Sequence, residues 1–548
     1  DVERSRGLGD VYKRQRDDKA KQEHPLLPTY IKIQDSVQGV VQDVDDAAGL
    51  VYVQLPESHG LIDFDTMTWA RKPDSDKRYD LSTIKKPSEA LKKGDVILVK
   101  IVGDKFSPSR IIAQSKKKNA ASVKLPDFNR YVDLELDQEP LVEGALLSLD
   151  QDTQDVLALV GGTNFAKSEF NRAIQAPRQT GSSFKSIVYT SALDKGYTPA
   201  TPIMDAPLVY EEGGGAGDEE GQGDAKVWKP ANHSKSFGGD IIVRNALAQS
   251  LNIPAVKVIE DVGVPWAIEY SHRLGLYSPL NPDFTLVLGS SSVTLYEMTK
   301  AFSELGRLGK RTRPVIIHKV DDMNGKTVMQ AISLDSRFEK ELKPYDDDFE
   351  TRRKEYLEIA KDPEKLEAFK KKDPKKAALA QNFFFEDPEQ LIKPTTAFVM
   401  TSLLRGVVED KKGTGVRARA LGREVAGKTG TTNNYYDAWF IGYSPQIATG
   451  VWVGFDKEKS LGKGEVGGRS ALPIWVDYMK AAHEGLPQMT FPVPDGIVFA
   501  NIDSETGKLA NASTKSILRQ PFVEGTEPTA ASSKQEEATD FYKQDLSE

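Results

Sequence analysis

The chain has 548 residues, 39% of them apolar and 28% charged, with a formal net charge of -8 at pH 7. At roughly 150 residues per domain this is room for two to four domains, with the balance of an ordinary globular protein rather than a disordered or membrane-embedded one. The acidic surplus argues against a nucleic-acid partner, and the lack of any cysteine excludes thiol nucleophiles, cysteine zinc sites and disulfides.

No run approaches the roughly 18 uninterrupted apolar residues that span a bilayer, and no secretory leader opens the chain. The sequence starts at Asp1 rather than Met and reads as a piece of a longer protein. Residues 1–15, closing on Asp10-Val11-Tyr12-Lys13-Arg14-Gln15, have no apolar period and read as a non-native remnant. Residues 16–125 follow as a small β domain and its linker. Short alternating runs (Ser36 to Val41, Leu50 to Leu55, Gly60 to Trp69, Asp95 to Val102) broken by Asp-Asp, Pro and Gly turns predict antiparallel strands in an OB-like barrel. In an acidic chain such a barrel is better read as a structural or protein-docking module than as an oligonucleotide binder. Lys116-Lys117-Lys118 reads as solvated linker.

A second domain is predicted over 126–500. It opens on a hairpin, Ala145 to Asp150 and Val156 to Val160. Helical spacing follows at Ser183 to Leu193 and Val243 to Gln249, then strand-like runs at Ala438 to Tyr443 and Ile447 to Gly454. Together these predict an α+β class, an antiparallel sheet flanked by helices. Glu211 to Asp224, rich in Gly, Asp and Glu, reads as a mobile loop. A charged insertion at about 336–385, densest from Phe338 to Lys376, reads as a solvated surface helix. Residues 501–548 read as a C-terminal extension whose end, from Gly525, is a polar acidic tail.

Three short motifs carry the chemistry. Ser-x-x-Lys occurs at Ser82, Ser115, Ser182 and Ser460, so the pattern alone is weak. Only Ser182-Ser183-Phe184-Lys185 follows a strand and a glycine turn and opens an apolar helix, where outward backbone N–H groups favour developing negative charge. Residues three apart on a helix share a face, so Ser182 and Lys185 can meet. A serine hydroxyl attacks only when a base takes its proton, and a buried lysine near a second cation can serve. Ser183 is excluded as nucleophile because the residue three on is Ser186. The second motif, Ser250-Leu251-Asn252, follows the Val243 to Gln249 helix and by itself would pass as a polar helix end. The third, Lys428-Thr429-Gly430-Thr431-Thr432, contains the chain's single Lys-[Ser/Thr]-Gly triplet, with a glycine that lets backbone or ligand approach closely.

In this order the three motifs resemble the signature of serine penicillin-recognising enzymes. Asn171-Arg172-Ala173, Arg178-Gln179, Trp228-Lys229-Pro230-Ala231-Asn232, Leu288-Gly289-Ser290 and Asp437-Ala438-Trp439-Phe440 are similar to the transpeptidase half of class A penicillin-binding proteins. Thr506 to Ala510 and Phe522 to Thr526 are similar to type 1A members, in which an OB-like domain precedes the transpeptidase. The resemblance covers roughly residues 30–530. Its departures are the membrane anchor and glycosyltransferase domain that full-length relatives carry, expected to be missing here, and Ser186 where relatives often have proline.

The resemblance implies a D,D-transpeptidase that cross-links peptidoglycan. Ser182 would be the nucleophile, Lys185 its base, Ser250 a proton relay and Asn252 the residue orienting Lys185. Lys428, Thr429 and Thr431 would hold the substrate carboxylate beside Gly430 and Thr432, with the Ser182 and Thr431 backbone N–H groups as oxyanion hole. The expected ligands are stem peptides and β-lactams, with an envelope activator reached through the barrel. No metal or cofactor is expected, and His233, the one histidine near a motif, reads as a surface or supporting residue. The full-length protein would be membrane-anchored, working on the periplasmic face of the inner membrane. A D,D-carboxypeptidase or β-lactamase, with water in place of the acceptor amine, and a β-lactam-binding envelope sensor or scaffold remain open alternatives.

Overall fold

A computed structural model describes residues 26–108, 125–211 and 227–530. The remnant at 1–15, the Lys116–Lys118 linker, nearly all of the predicted Glu211–Asp224 loop and the tail beyond 530 lie outside the described residues. The chain divides into two compact units, 1–141 and 142–548.

The first unit is a closed five-stranded barrel, in the order Ser36–Asp45, Leu50–Gln54, His59–Asp63, Val132–Asp137, Val96–Gly103. Alternate residues point inward, so Val41, Val51, Val53, Ile62, Val99, Ile101 and Leu134 make its core. The barrel extends past the boundary near 125 read from sequence. Its last strand runs parallel to His59–Asp63, pairing Gly60 with Val132 and Ile62 with Leu134, and antiparallel to Val96–Gly103. That closure pairs segments some 70 residues apart, and no local pattern encodes it. The Gly60 to Trp69 run is strand only as far as Asp63, because the Asp63 carboxylate accepts the Asp65 N–H and starts the helical turn Phe64–Met67.

The second unit is built on a five-stranded antiparallel sheet, in the order Ala426–Thr431, Asp437–Tyr443, Ile447–Gly454, Glu143–Asp150, Val156–Val160. The expected hairpins are all present. Asp437–Tyr443 and Ile447–Gly454 are buried along their whole length because helices cover both faces. Trp439, Ile441 and Tyr443 pack with Leu295 and Phe302 of the Leu295–Gly306 helix. Phe440 and Val451 turn to the other side, where Phe440 meets Trp475 of the Leu472–Ala482 helix edge-on at 5.0 Å. Each such side chain stabilises the fold by about 1.5–3 kcal/mol on burial.

The charged insertion differs from the solvated helix read from sequence. It forms three helices, Glu339–Ala360, Pro363–Lys372 and Pro374–Phe383, of which the first sends Phe349 and the third Ala380 and Phe383 into the main core. Phe383 lies 5.0 Å from the Tyr270 ring and 5.5 Å from Trp266. The buried Arg273 guanidinium sits 5.0 Å above Phe349 and donates to the carbonyls of Phe383, Gln390 and Leu391. The outward charges dominated the composition and hid apolar anchors at two distant places, Phe349 on the first helix and Ala380 with Phe383 on the third. Among the described residues, no helix is long and apolar enough to cross a membrane.

Candidate active site

Ser182 lies in a 3-10 turn, Gly181–Ser183, that runs directly into the helix Lys185–Leu193. The turn is fixed from both sides. Upstream, Arg178–Gln179 pairs with Ser292–Val293, and the Gln179 carbonyl accepts the Trp439 indole N–H at 2.9 Å. The neighbouring Ser183 hydroxyl donates to the Thr180 carbonyl at 2.8 Å, in a fully buried position. Ser182 itself is half-buried.

Glycines bring the Ser182 turn against the Lys428 strand, Ala426–Thr431. Gly181 has φ +53, and a Cβ there would stand 2.3 Å from the Thr431 carbonyl oxygen and 2.8 Å from its nitrogen. A Cβ on Gly430 would stand 2.3 Å from the Thr180 carbonyl oxygen. Both contacts are closer than any side chain tolerates, so this approach of two backbones requires glycine on each.

The Ser250-Leu251-Asn252 turn completes the cluster. Ser250 takes the left-handed conformation, φ +57, between the helices Val243–Ala248 and Asn252–Val262. Lys185 Nζ, fully buried, donates to the Ser250 carbonyl at 2.8 Å, the Leu251 carbonyl at 3.0 Å and Asn252 Oδ1 at 2.7 Å. Lys428 Nζ, also buried, donates to Ser250 Oγ at 2.8 Å and the Thr429 carbonyl at 3.1 Å. Burial lowers both amines. Lys185 is pushed well below the usual lysine range, by burial first and then by Lys428; Lys428 falls to about 7 by burial.

The remaining motif hydroxyls are already engaged. Thr429 Oγ1 pairs with Thr414 Oγ1 at 2.7 Å. Thr431 Oγ1 accepts the Gly467 N–H at 3.0 Å, which leaves its own hydrogen free to donate. Thr432 Oγ1 accepts the Asp437 N–H at 2.8 Å, inside the protein. Ser182, Lys185, Ser250, Asn252 and the Lys428–Thr432 segment therefore converge from three separate parts of the chain. Among the other Ser-x-x-Lys matches, Ser460 Oγ donates to the Asn434 carbonyl and Ser82 Oγ to the Arg78 carbonyl, while Ser115 lies outside the described residues. His233 is exposed, with its ring 6.3 Å from Tyr435. Thr414, Gly467 and Asp205, whose carboxylate accepts the Asn232 amide at 2.8 and 3.0 Å beside the Asn252 turn, were missed by sequence reasoning. Thr414 had one available signal, the Gly413-Thr414-Gly415 turn; the other two had none. No group of three or more His, Asp or Glu placed to hold a metal ion occurs among the described residues.

Comparison with known proteins gives this cluster its context. Residues 144–474 match the penicillin-binding protein transpeptidase domain, 6–142 the penicillin-binding protein OB-like domain, and 493–537 the C-terminal domain of penicillin-binding protein 1A. Penicillin-binding protein 1A of Pseudomonas aeruginosa is 38% identical over 397 residues, 72% of this chain and 46% of that protein. The Aquifex aeolicus protein of the same name is 35% identical over 389 residues, 71% of this chain and 44% of its own length. The crystal structure of penicillin-binding protein 1A from Haemophilus influenzae superposes with a TM-score of 0.63 and 25% identity, over 96% of this chain and 70% of that one. The chain thus spans a little under half the length of these two curated relatives. Because the transpeptidase match covers more than half of the chain, with the OB-like and 1A-type domains on either side, the protein belongs to the class A penicillin-binding proteins and is most like their type 1A members.

Proposed function

We propose that this protein is a D,D-transpeptidase that acylates Ser182 with a stem peptide ending in D-Ala-D-Ala, and that β-lactams acylate the same oxygen. The supporting observation is that both buried lysines meet on one residue, Lys185 on the carbonyl and Lys428 on the hydroxyl of Ser250.

As an ammonium, Lys185 fills three acceptors with its three hydrogens. As the neutral amine favoured by burial, it keeps two of them and has a lone pair for the Ser182 proton. The Ser182 oxygen attacks the carbonyl carbon of the penultimate D-alanine, and the oxyanion is received by the Ser182 and Thr431 N–H groups. Such donors are worth about 100-fold or more in rate. The C–N bond then breaks. The departing D-alanine amine takes the Ser250 hydroxyl proton, and Lys428 replaces it across their hydrogen bond. Asn252 keeps Lys185 in register, and Lys428 with Thr429 and Thr431 receives the terminal carboxylate. An amine of a second stem peptide attacks the ester and gives its proton through Ser250 back to Lys428, while Lys185 returns its proton to the departing Ser182 oxygen, leaving a new amide and the free serine. The work is done in the bacterial periplasm, at the face of the inner membrane.

The test is labelling with a fluorescent penicillin. Wild type labels and Ser182→Ala does not; unchanged labelling of that variant overturns the assignment. On a pentapeptide substrate, D-alanine release with cross-linked dimers marks a transpeptidase. Release without dimers marks a hydrolase, and labelling without either marks a sensor.

A further inference from the structure

The three acceptors of Lys185 all belong to the Ser250–Asn252 turn, so whatever fixes that turn fixes the amine. The preceding helix holds one side of the turn, where the Leu247 and Ala246 carbonyls accept the Ser250 and Leu251 N–H groups at 3.0 Å each. Ser250 is a non-glycine residue with φ +57, a left-handed conformation that a residue with a Cβ adopts only when its surroundings hold it there. The helix that follows, Asn252–Val262, has Leu251 at its cap position, with no side-chain oxygen to take the first N–H groups.

That role falls to Asn232, twenty residues upstream. Its Oδ1 accepts the backbone N–H of Asn252 at 2.9 Å and of Ile253 at 3.2 Å. Its Nδ2 donates to both Asp205 oxygens, at 2.8 and 3.0 Å, and to the Ser236 carbonyl at 3.0 Å. The amide cannot be turned over, because its oxygen would then face a carboxylate and its NH2 two N–H groups. Asp205 is anchored in turn by the Gly238 N–H at 2.8 Å. Asn232 is 3% exposed and Asp205 1%, so water cannot substitute for either. The adjacent Ala231 carbonyl accepts Asn252 Nδ2 at 2.8 Å, which leaves Asn252 Oδ1 for Lys185. One short segment therefore sets both the backbone and the side chain of Asn252.

We propose that Asn232, oriented by Asp205, is a positioning residue for acylation: it caps the Asn252 helix and so holds the Ser250–Asn252 turn where Lys185 can act as base on Ser182. The proposal rests on the acylation reading above. It touches no substrate atom and acts only through the turn.

The experiment separates the rate constant of penicillin acylation from the fraction of protein that labels and from the affinity before acylation. Asn232→Asp keeps an acceptor for the two N–H groups but sets a carboxylate against Asp205. The exchanged pair Asp205→Asn with Asn232→Asp restores a donor facing an acceptor, and the asparagine at 205 still accepts from Gly238. Asn232→Asp and Asn232→Ala lower the acylation rate constant by about 10- to 100-fold with affinity and labelled fraction retained, and the exchanged pair recovers most of the rate. Wild-type rate constants in the single variants overturn the proposal. So does a loss confined to the labelled fraction, or an exchanged pair no faster than Asn232→Asp alone. Ser182→Ala is run alongside: wild type that fails to label, or Ser182→Ala that labels like wild type, overturns the acylation reading itself and the positioning role with it.

Discussion

Lys185 and Lys428 reach one residue from two sides, each amine 2.8 Å from an oxygen of Ser250, the first from its carbonyl and the second from its hydroxyl. Ser250→Ala leaves Lys428 Nζ on the Thr429 carbonyl alone and removes the proposed proton relay. Acylation by penicillin is expected to fall by about 100-fold or more, measured as the labelling rate constant, while the Lys185 contacts to backbone stay intact.

The same buried amines give a pH-dependent stability. Lys428 titrates at about 7 in the fold against 10.5 as an ordinary lysine. Its folded pKa is depressed, so between these values the unfolded chain holds the proton that the folded chain has shed, and stability rises with pH. The contribution is present in full above 10.5 and is lost as pH falls through about 7. Lys428→Met removes it. The variant is expected to be more stable than wild type at pH 7 and to have lost most of that advantage by pH 9.5, followed as Tm across the range.

Glu304 acts with the opposite sign. It is fully buried on the Leu295–Gly306 helix, accepts the Thr312 N–H at 3.3 Å, and is pushed up to about 8 by burial despite Lys300 and Arg311 nearby. A raised carboxyl contributes stability in full below its unfolded value of 4.5, and that stability is lost as pH rises through about 8. Glu304→Gln is expected to unfold close to wild type at pH 5 and to exceed it at pH 9, in paired thermal melts.

Gly430→Ala tests the backbone approach beside the serine. The new methyl meets the Thr180 carbonyl at 2.3 Å and the Trp439 Cβ at 2.9 Å, so the Lys428 strand must move off the Ser182 turn. A stability loss of about 1–3 kcal/mol is expected with near-complete loss of penicillin labelling. Wild-type labelling would show that the two backbones need not touch.

Phe383→Ala tests the insertion. The ring is fully buried between Tyr270 and Trp266, so its removal is expected to cost about 3–5 kcal/mol in urea unfolding. A surface insertion would lose almost nothing.

What was legible in the sequence follows from the range of the interactions. Strands such as Ile447–Gly454, buried on both faces, show as local apolar runs, and the Ser182 helix shows through its glycine turn. Phe349 and Phe383 were hidden because two anchors 34 residues apart cannot offset the Lys, Glu and Asp around them. The closing barrel strand was hidden because its partner lies some 70 residues away. In the candidate site, motif residues could be named, but nothing local tied Asp205 to Asn232 or Asn232 to the Asn252 N–H; those bonds exist only once the chain has folded.

The central sheet joins Ile447–Gly454 to Glu143–Asp150, strands that stand almost 300 residues apart in the chain. On a ribosome adding about 5–20 residues per second, the first hairpin is complete on the order of tens of seconds before the strands that cover its edge exist. Through that interval Leu147 and Leu149, buried in the finished protein, have no partner strand on the Ile447–Gly454 side. The site's architecture thus carries a cost in time: a waiting hairpin that must be shielded from other chains until the Lys428 strand and its neighbours arrive.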